Sequence, residues 1–359
     1  MLKLRDALYW LLPKPSSQYT GKGMTLPATR VLVVSKHPNP TYSYYLEERL
    51  RRCGLPFHVQ DLDDDLGGLD PDGMFVVICR YITSRQLRWV EFNRPRLAGV
   101  ALFIDDDLAA IVSGSDGSWG YKFRLLRLGI KPLYHLRKVL DAVWVSTPEL
   151  AQRLPSSNQV PLVMPPFPVP FPQQNDHGRN QADSQQMLKL VYHATGIHHR
   201  EHDFLRPIIA RALDEHPTLR FEVIADGKIG AHWSAMNIAE GRLMVRDSLP
   251  WPEYLSYTAQ SGADIALAPL LESRTNSSRS DTKRIDIARM KAAAIFSRSP
   301  VFDRCATEGE LHVDNTAEDW LSAIRLLVTD PARREIARKA TAASVVKMAT
   351  VASPDFPLT

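Results

Sequence analysis

Between Pro269 and Asp286 the chain reads PLLESRTNSSRSDTKRID, a stretch rich in residue types that hold an anion. Arg274, Asn276, Arg279 and Ser280 lie in a loop that leads into a helix whose first turn carries Thr282 and Lys283. Backbone N–H groups at a helix start favour negative charge. Arg279 and Lys283 are four apart, so on a helical first turn they would point to one side and clasp a diphosphate. Asp286, one turn further, would accept hydrogen bonds from ribose hydroxyls. A solvated basic loop before an ordinary helix also fits this spacing. A second group is Asp105-Asp106-Asp107-Leu108, which follows the apolar run Val100 to Ile104. A carboxylate there could orient or deprotonate a hydroxyl if it lies within hydrogen-bond reach. Its plain alternative is one capping Asp with two solvated neighbours.

The histidines offer less. His198 and His202 are four apart, half of a zinc-site spacing, but no Glu follows the first and no third ligand is evident. Exposed residues at a helix start are the expectation. His193 at a strand end and His37 in the first loop are better site candidates, and each also fits a structural histidine. Trp119, Tyr121, Lys122 and Arg124 form an aromatic-basic patch suited to a glycan or a lipid-linked acceptor, or to ordinary surface.

These residues need elements to position them. Apolar runs at Val31 to Val34, Pro56 to Gln60, Met74 to Cys79, Val100 to Ile104 and Ala142 to Val145 alternate with helical patterns at Ser84 to Phe92 and Tyr121 to Leu140. Several runs are apolar at every residue, as in parallel strands covered by helices on both faces. The same grammar restarts at Leu188 to Tyr192 and continues through Arg220 to Ala225, Leu243 to Val245 and Ala263 to Ala268. Helices are expected at Phe204 to Leu213, at Thr282 to Ala294 and after Thr316. Between the halves lie closely spaced prolines (Pro165 to Pro172) and a polar stretch, a linker stiff at first and then flexible. The division is therefore 1–28 (N-terminal segment), 29–172 (first domain), 173–186 (linker), 187–345 (second domain) and 346–359 (tail). Each domain is a doubly wound α/β sheet, and ligands of such sheets sit at the carboxyl ends of the strands.

Composition sets the outer bounds. The chain has 359 residues, 44% hydrophobic and 23% charged, enough for two cores. Cys53, Cys79 and Cys305 have neither metal nor disulfide spacing and fit a reducing cytosol. A net charge of +4 suits an anionic ligand or membrane surface and is too weak to argue for nucleic acid. In residues 1–14, Leu4, Leu8, Leu11 and Leu12 would form one helical stripe beside Trp10, before Pro13 and Pro15 stop the helix. Asp6 interrupts the apolar part, against a cleaved signal peptide. Two readings stay open: an interfacial anchor on an anionic leaflet, or a terminal helix packed on the protein's own surface.

The stretch after Pro269 resembles the donor-site signature of GT-B glycosyltransferases of the retaining family 4, or group 1, type. Asn276, Arg279, Ser280, Lys283 and Asp286 fall on the signature Asn-x-x-(Lys/Arg)-Ser-x-x-Lys-x-x-Glu, with Ala288 and Ala292 to Ala294 in a following small-residue helix. Asp286 replaces the usual Glu, and Ala294 to Pro300 replaces Gly-Val-Pro. Asp141 to Leu150, Tyr192 to Gly196 and Leu311 to Leu327 match further segments of that family. The resemblance implies two Rossmann-like domains facing across a cleft. It implies transfer of a sugar from a nucleoside diphosphate sugar, with retention, to a saccharide or lipid-linked acceptor. The donor would be held by Thr195, Gly196, Asn276, Arg279, Ser280, Lys283 and Asp286, with Lys283 stabilising the leaving diphosphate. Asp105, Asp106 and Asp107 would handle the acceptor, which His37, Trp119, Tyr121 and Lys122 would bind. No metal or cofactor beyond the donor is implied. The setting would be bacterial envelope polysaccharide assembly in the cytoplasm, with membrane contact at its inner face through residues 1–14. Two rivals remain. A non-catalytic scaffold of the same shape draws on Asp286. A nicotinamide-dependent oxidoreductase is weakened by the first loop, Ser35 to Pro40, which lacks Gly-x-Gly-x-x-Gly.

Overall fold

A computed structural model describes residues 2–19, 27–155, 160–168, 187–194, 196–353 and 355–358. The expected linker 173–186 and Thr195 lie outside the described residues. The chain divides into two compact units, one of residues 1–167, 273–280 and 352–359, the other of residues 168–272 and 281–351.

In the first unit, β1 (Arg30–Val34), β2 (Phe57–Gln60), β3 (Met74–Cys79), β4 (Gly99–Ile104), β5 (Ala142–Val145) and β6 (Leu162–Val163) form one sheet. Its order is β2-β1-β3-β4-β5-β6 and every pairing is parallel. β3 and β4 are buried at every residue, which is why they read as unbroken apolar runs. The tail completes this unit: Phe356 meets the rings of Trp144 and Phe75 at 5.5 and 6.5 Å, and Arg49 Nε donates to the Ser353 carbonyl at 2.9 Å.

In the second unit, β7 (Leu188–His193), β8 (Leu219–Ile224), β9 (Leu243–Arg246), β10 (Ile265–Ala268), β11 (Ala293–Ser297) and β12 (Leu311–Val313) are ordered β12-β11-β10-β7-β8-β9. These pairings too are parallel. Trp233, Trp320 and Phe221 anchor its core. Both units are Rossmann-like. In each, successive strands first step to one side of the starting strand and then cross to the other. The crossing leaves a switch point between β1 and β3 in the first unit and between β7 and β10 in the second.

Several local expectations need correcting. The helix expected over Thr282 to Ala294 ends at Arg289, and Ala292 to Ala294 lead into and begin β11. Lys291 takes a positive φ of 56° that turns the chain, and burial between β10 and β12 overrides alanine's preference for helix. The segment Tyr121 to Leu140 is broken: helix Trp119–Leu125, a wide turn Leu126–Ile130, then helix Leu133–Leu136 behind Pro132. Helix Pro331–Val351 runs through what the sequence suggested as the start of a tail.

Residues Leu2–Leu11 form a helix. It docks through Tyr9, buried against Ala109 and Ala110, whose hydroxyl donates to Asp107 Oδ2 at 3.1 Å. The Leu4, Leu8, Leu11 stripe does not dock and stays exposed with Trp10. No helix among the described residues is long and apolar enough to cross a membrane.

Candidate functional site

The switch point of the first unit is built around a residue that sequence reasoning missed. Arg80 follows β3 with φ 66°, a left-handed conformation that non-glycine residues seldom adopt and that marks functional positions. From there Arg80 Nε lies 3.1 Å from Asp105 Oδ1 and Nη2 lies 3.3 Å from Asp106 Oδ2. Its guanidinium also donates to Thr41 Oγ1 at 3.3 Å and to the Tyr121 hydroxyl at 3.2 Å. Thr41 Oγ1 donates to Asp105 Oδ2 at 2.7 Å. Burial raises the pKa of Asp105, Arg80 opposes that, and the charge of Asp106 adds to it. The positive φ leaves no mark in the residue type, so sequence alone gave no signal for Arg80.

Asp107 does something different from its two neighbours. Its side chain caps helix Leu108–Ser113 through the Ala110 N–H at 3.0 Å and accepts from Tyr9 and Arg153. Of the residues proposed for an acceptor, the structure brings only Tyr121 to the Asp105–Asp106 pair. His37 is exposed, its N–H on Asp61 Oδ2 at 2.8 Å and its ring against Tyr42. Lys122 is buried and donates to the Gly114 carbonyl, while Trp119 on the same helix points to solvent.

Residues 273–280 belong to the first unit. Thr147 Oγ1 donates to the Ser278 carbonyl at 2.8 Å, and Arg153 Nη2 to Ser277 Oγ at 2.7 Å. Tyr45 and Ser280 share a hydroxyl hydrogen bond, and Arg279 Nε lies 3.3 Å from Asp106 Oδ1. Asn276 is buried in a short 3₁₀ turn, Asn276–Ser278. Arg279 has extended backbone ahead of the helix and so is not part of its first turn.

Lys283 and Asp286 lie in the second unit. Helix Thr282–Arg289 is fixed by Arg284, fully buried, which bonds both Glu310 oxygens at 2.9 Å and the Phe302 carbonyl at 2.7 Å. This anchoring sends Lys283 across to the carboxyl end of β7, where its ammonium donates to the His193 carbonyl. Asp286 Oδ1 is engaged by Arg289 at 2.9 Å. Gly196 begins the turn Gly196–His198, which leads into helix His199–Glu215. The chain after β7 and the loop after β10 meet here: Glu201 Oε1 accepts from the Leu271 N–H at 3.2 Å.

Behind this end of the sheet sits a second ionic cluster. Glu222 accepts from His193 Nε2 at 3.0 Å, Lys189 at 2.9 Å and the Tyr257 hydroxyl at 2.5 Å. Burial alone would raise its pKa, but these hydrogen bonds bring it down to about 2. Burial lowers the pKa of His193, so the imidazole is neutral, with its Nε2–H on Glu222. His202 is not an exposed helix-start residue. It is fully buried, accepts from Trp233 Nε1 at 2.9 Å, and burial first of all pushes its pKa down to about 3. Among the described residues no group of His, Cys, Asp and Glu could hold a metal ion.

No family model matches the chain, nor does any curated protein sequence. Solved structures do. A sucrose-phosphate synthase from Thermosynechococcus elongatus is similar with a TM-score of 0.57 at 13% identity, over 89% of this chain and 94% of that one. HepE of Anabaena, solved with UDP and glucose, is similar with a TM-score of 0.54 at 9% identity, over 90% and 98%. TarM matches with 0.51 at 11% identity over 80% of this chain, which spans only 53% of TarM's length. What is shared with these proteins is the two-domain Rossmann-like fold.

Proposed function

We propose that the protein is a glycosyltransferase that moves a sugar from a nucleoside diphosphate sugar to a saccharide or lipid-linked acceptor. The observation that carries this reading is Lys283. A helix anchored by buried Arg284 sets its ammonium at the carboxyl end of β7, beside the switch point where sheets of this strand order take nucleotides. There the cation and the N–H groups near Gly196 would stabilise the diphosphate as its bond to the anomeric carbon breaks. The fold shared with a sucrose-phosphate synthase and a UDP- and glucose-bound protein supports the same substrate class. Asp105 and Asp106, oriented by Arg80, would face the acceptor hydroxyl and take its proton as the new glycosidic bond forms. The resemblance to family 4 adds retention of configuration, independence of metal, and a role in envelope polysaccharide assembly at the inner membrane face. A non-catalytic scaffold is the second reading. It is favoured by Asp286, shorter than the usual Glu and already engaged by Arg289.

The test is calorimetric titration with UDP, GDP, ADP and CMP, without metal, on wild type and Lys283→Ala. Binding of one nucleotide, weakened at least tenfold in the variant, supports the transferase reading. Failure of all four to bind, or binding that ignores the substitution, overturns the Lys283 assignment. Binding that depends on Lys283 with no sugar transfer or donor hydrolysis selects the scaffold.

A further inference from the structure

The segment from Trp119 to Leu140 contains no acidic residue and carries Lys122, Arg124, Arg127, Lys131, Arg137 and Lys138. Its inward face is ordinary core: Leu125, Leu128, Ile130, Leu133 and Leu136 are buried. Its outward face is not ordinary surface. Trp119 is 85% exposed and Phe123 67% exposed, with Leu126 completing an i, i+4, i+7 stripe. Arg124, Arg127 and Lys131 are exposed along the same segment.

Helix Leu2–Leu11 and helix Trp119–Leu125 both pack on helix Leu108–Ser113. With Tyr9 turned inward, helix Leu2–Leu11 presents Trp10, 71% exposed, and Leu11, 78% exposed. Single exposed apolar side chains need no explanation, but two neighbouring helices that each expose tryptophan and leucine or phenylalanine do. Aromatic and aliphatic side chains flanked by arginine and lysine fit the boundary between headgroups and acyl chains. There the rings bury and the cations meet phosphate.

We infer that the exposed face of Trp119–Lys138, together with the outward side of helix Leu2–Leu11, docks on an anionic lipid surface. The occupant is a bilayer bearing net negative headgroups, because the segment offers exposed cations and no carboxylate of its own. Helix Trp119–Leu125 then has two working sides. Trp119 and Phe123 lie in the lipid, while the Tyr121 hydroxyl reaches Arg80 beside Asp105 and Asp106. A lipid-linked acceptor held in the bilayer would have its headgroup next to those carboxylates. This last step rests on the transferase reading; the docking itself does not.

The test is co-sedimentation of the full chain with vesicles of phosphatidylcholine alone and of phosphatidylcholine with about a third phosphatidylglycerol, at low and high salt. The variants are Trp119→Ser/Phe123→Ser and Arg124→Glu/Arg127→Glu. All four side chains are exposed, so unchanged circular dichroism and melting are expected of both. Binding to the anionic vesicles is expected to fall at least tenfold in each double variant and to weaken at high salt. Equal binding to neutral vesicles, binding unaffected by either variant, or no binding at all would overturn the proposal. So would a dimer on light scattering that the Trp119→Ser/Phe123→Ser variant dissolves while wild type ignores vesicles, since the face would then belong to a second copy. Nucleotide titration on the same preparation separates the two claims. Vesicle binding without nucleotide binding keeps the docking face and removes the acceptor step.

Discussion

The two switch points occupy the same place in their sheets and have opposite electrostatic character. At the first, two aspartates meet Arg80 and Arg279, and burial holds the Asp105 pKa above that of an ordinary carboxyl. Beside the second, on β8, Glu222 is surrounded by donors that bring it down to about 2, and the cation at the carboxyl end of β7 is Lys283. On the transferase reading, the first would face a hydroxyl that must lose a proton and the second a group that leaves with negative charge. The lesson is that one topology supplies two empty corners, and a few charged side chains decide what each can do.

The largest effect that tests this contrast is on stability. Glu222→Ala leaves Lys189 without its carboxylate partner and is expected to cost about 3–5 kcal/mol, as for other broken buried ion pairs. Urea unfolding followed by the fluorescence of buried Trp233 would measure it. A loss under 1 kcal/mol would mean that the cluster is wetter than the buried Glu222 side chain indicates.

Next comes Lys283→Ala, expected to weaken nucleoside diphosphate binding ten- to a hundredfold, against less than threefold for Asp105→Asn. Equal losses would erase the distinction between the corners. The pH dependence sharpens it. Glu222 is shifted from 4.5 to about 2, so its contribution is full above pH 4.5 and fades as pH falls toward 2. Asp105 is shifted upward from 3.8, so its contribution is full below pH 3.8 and fades as pH rises through its folded value. Relative to wild type, Asp105→Asn is therefore expected to gain stability as pH rises above 3.8. Glu222→Gln should instead lose stability relative to wild type as pH rises from 2 to 5. Melting curves across pH 2 to 7 read both slopes. The smallest effect belongs to Tyr9→Phe, which removes the bond to Asp107 and should cost about 1 kcal/mol by thermal melting.

The strands were legible because burial on both faces demands unbroken apolar runs, as Met74 to Cys79 and Val100 to Ile104 display. Ala292 to Ala294 misled because alanine says helix locally, and only the neighbouring strands say otherwise. That Lys283 lies in the first turn of a helix could be read from the sequence. Arg80 could not, since its role comes from a backbone angle and from partners distant in sequence. The grouping of residues 273–280 with the first unit was equally hidden, because it depends on Thr147 and Arg153 rather than on the loop's own composition.

The tail has a consequence for how the chain is made. Arg49 and Ser353 are 304 residues apart, and Phe356 closes over Phe75 and Trp144. The first unit therefore emerges early from the ribosome but must wait with part of its apolar surface uncovered until residues 353–356 have been synthesised. The second unit draws on a shorter, later span of chain. Birth order and completion order are thus reversed, and a stall between the two would leave an aromatic face for chaperones to guard.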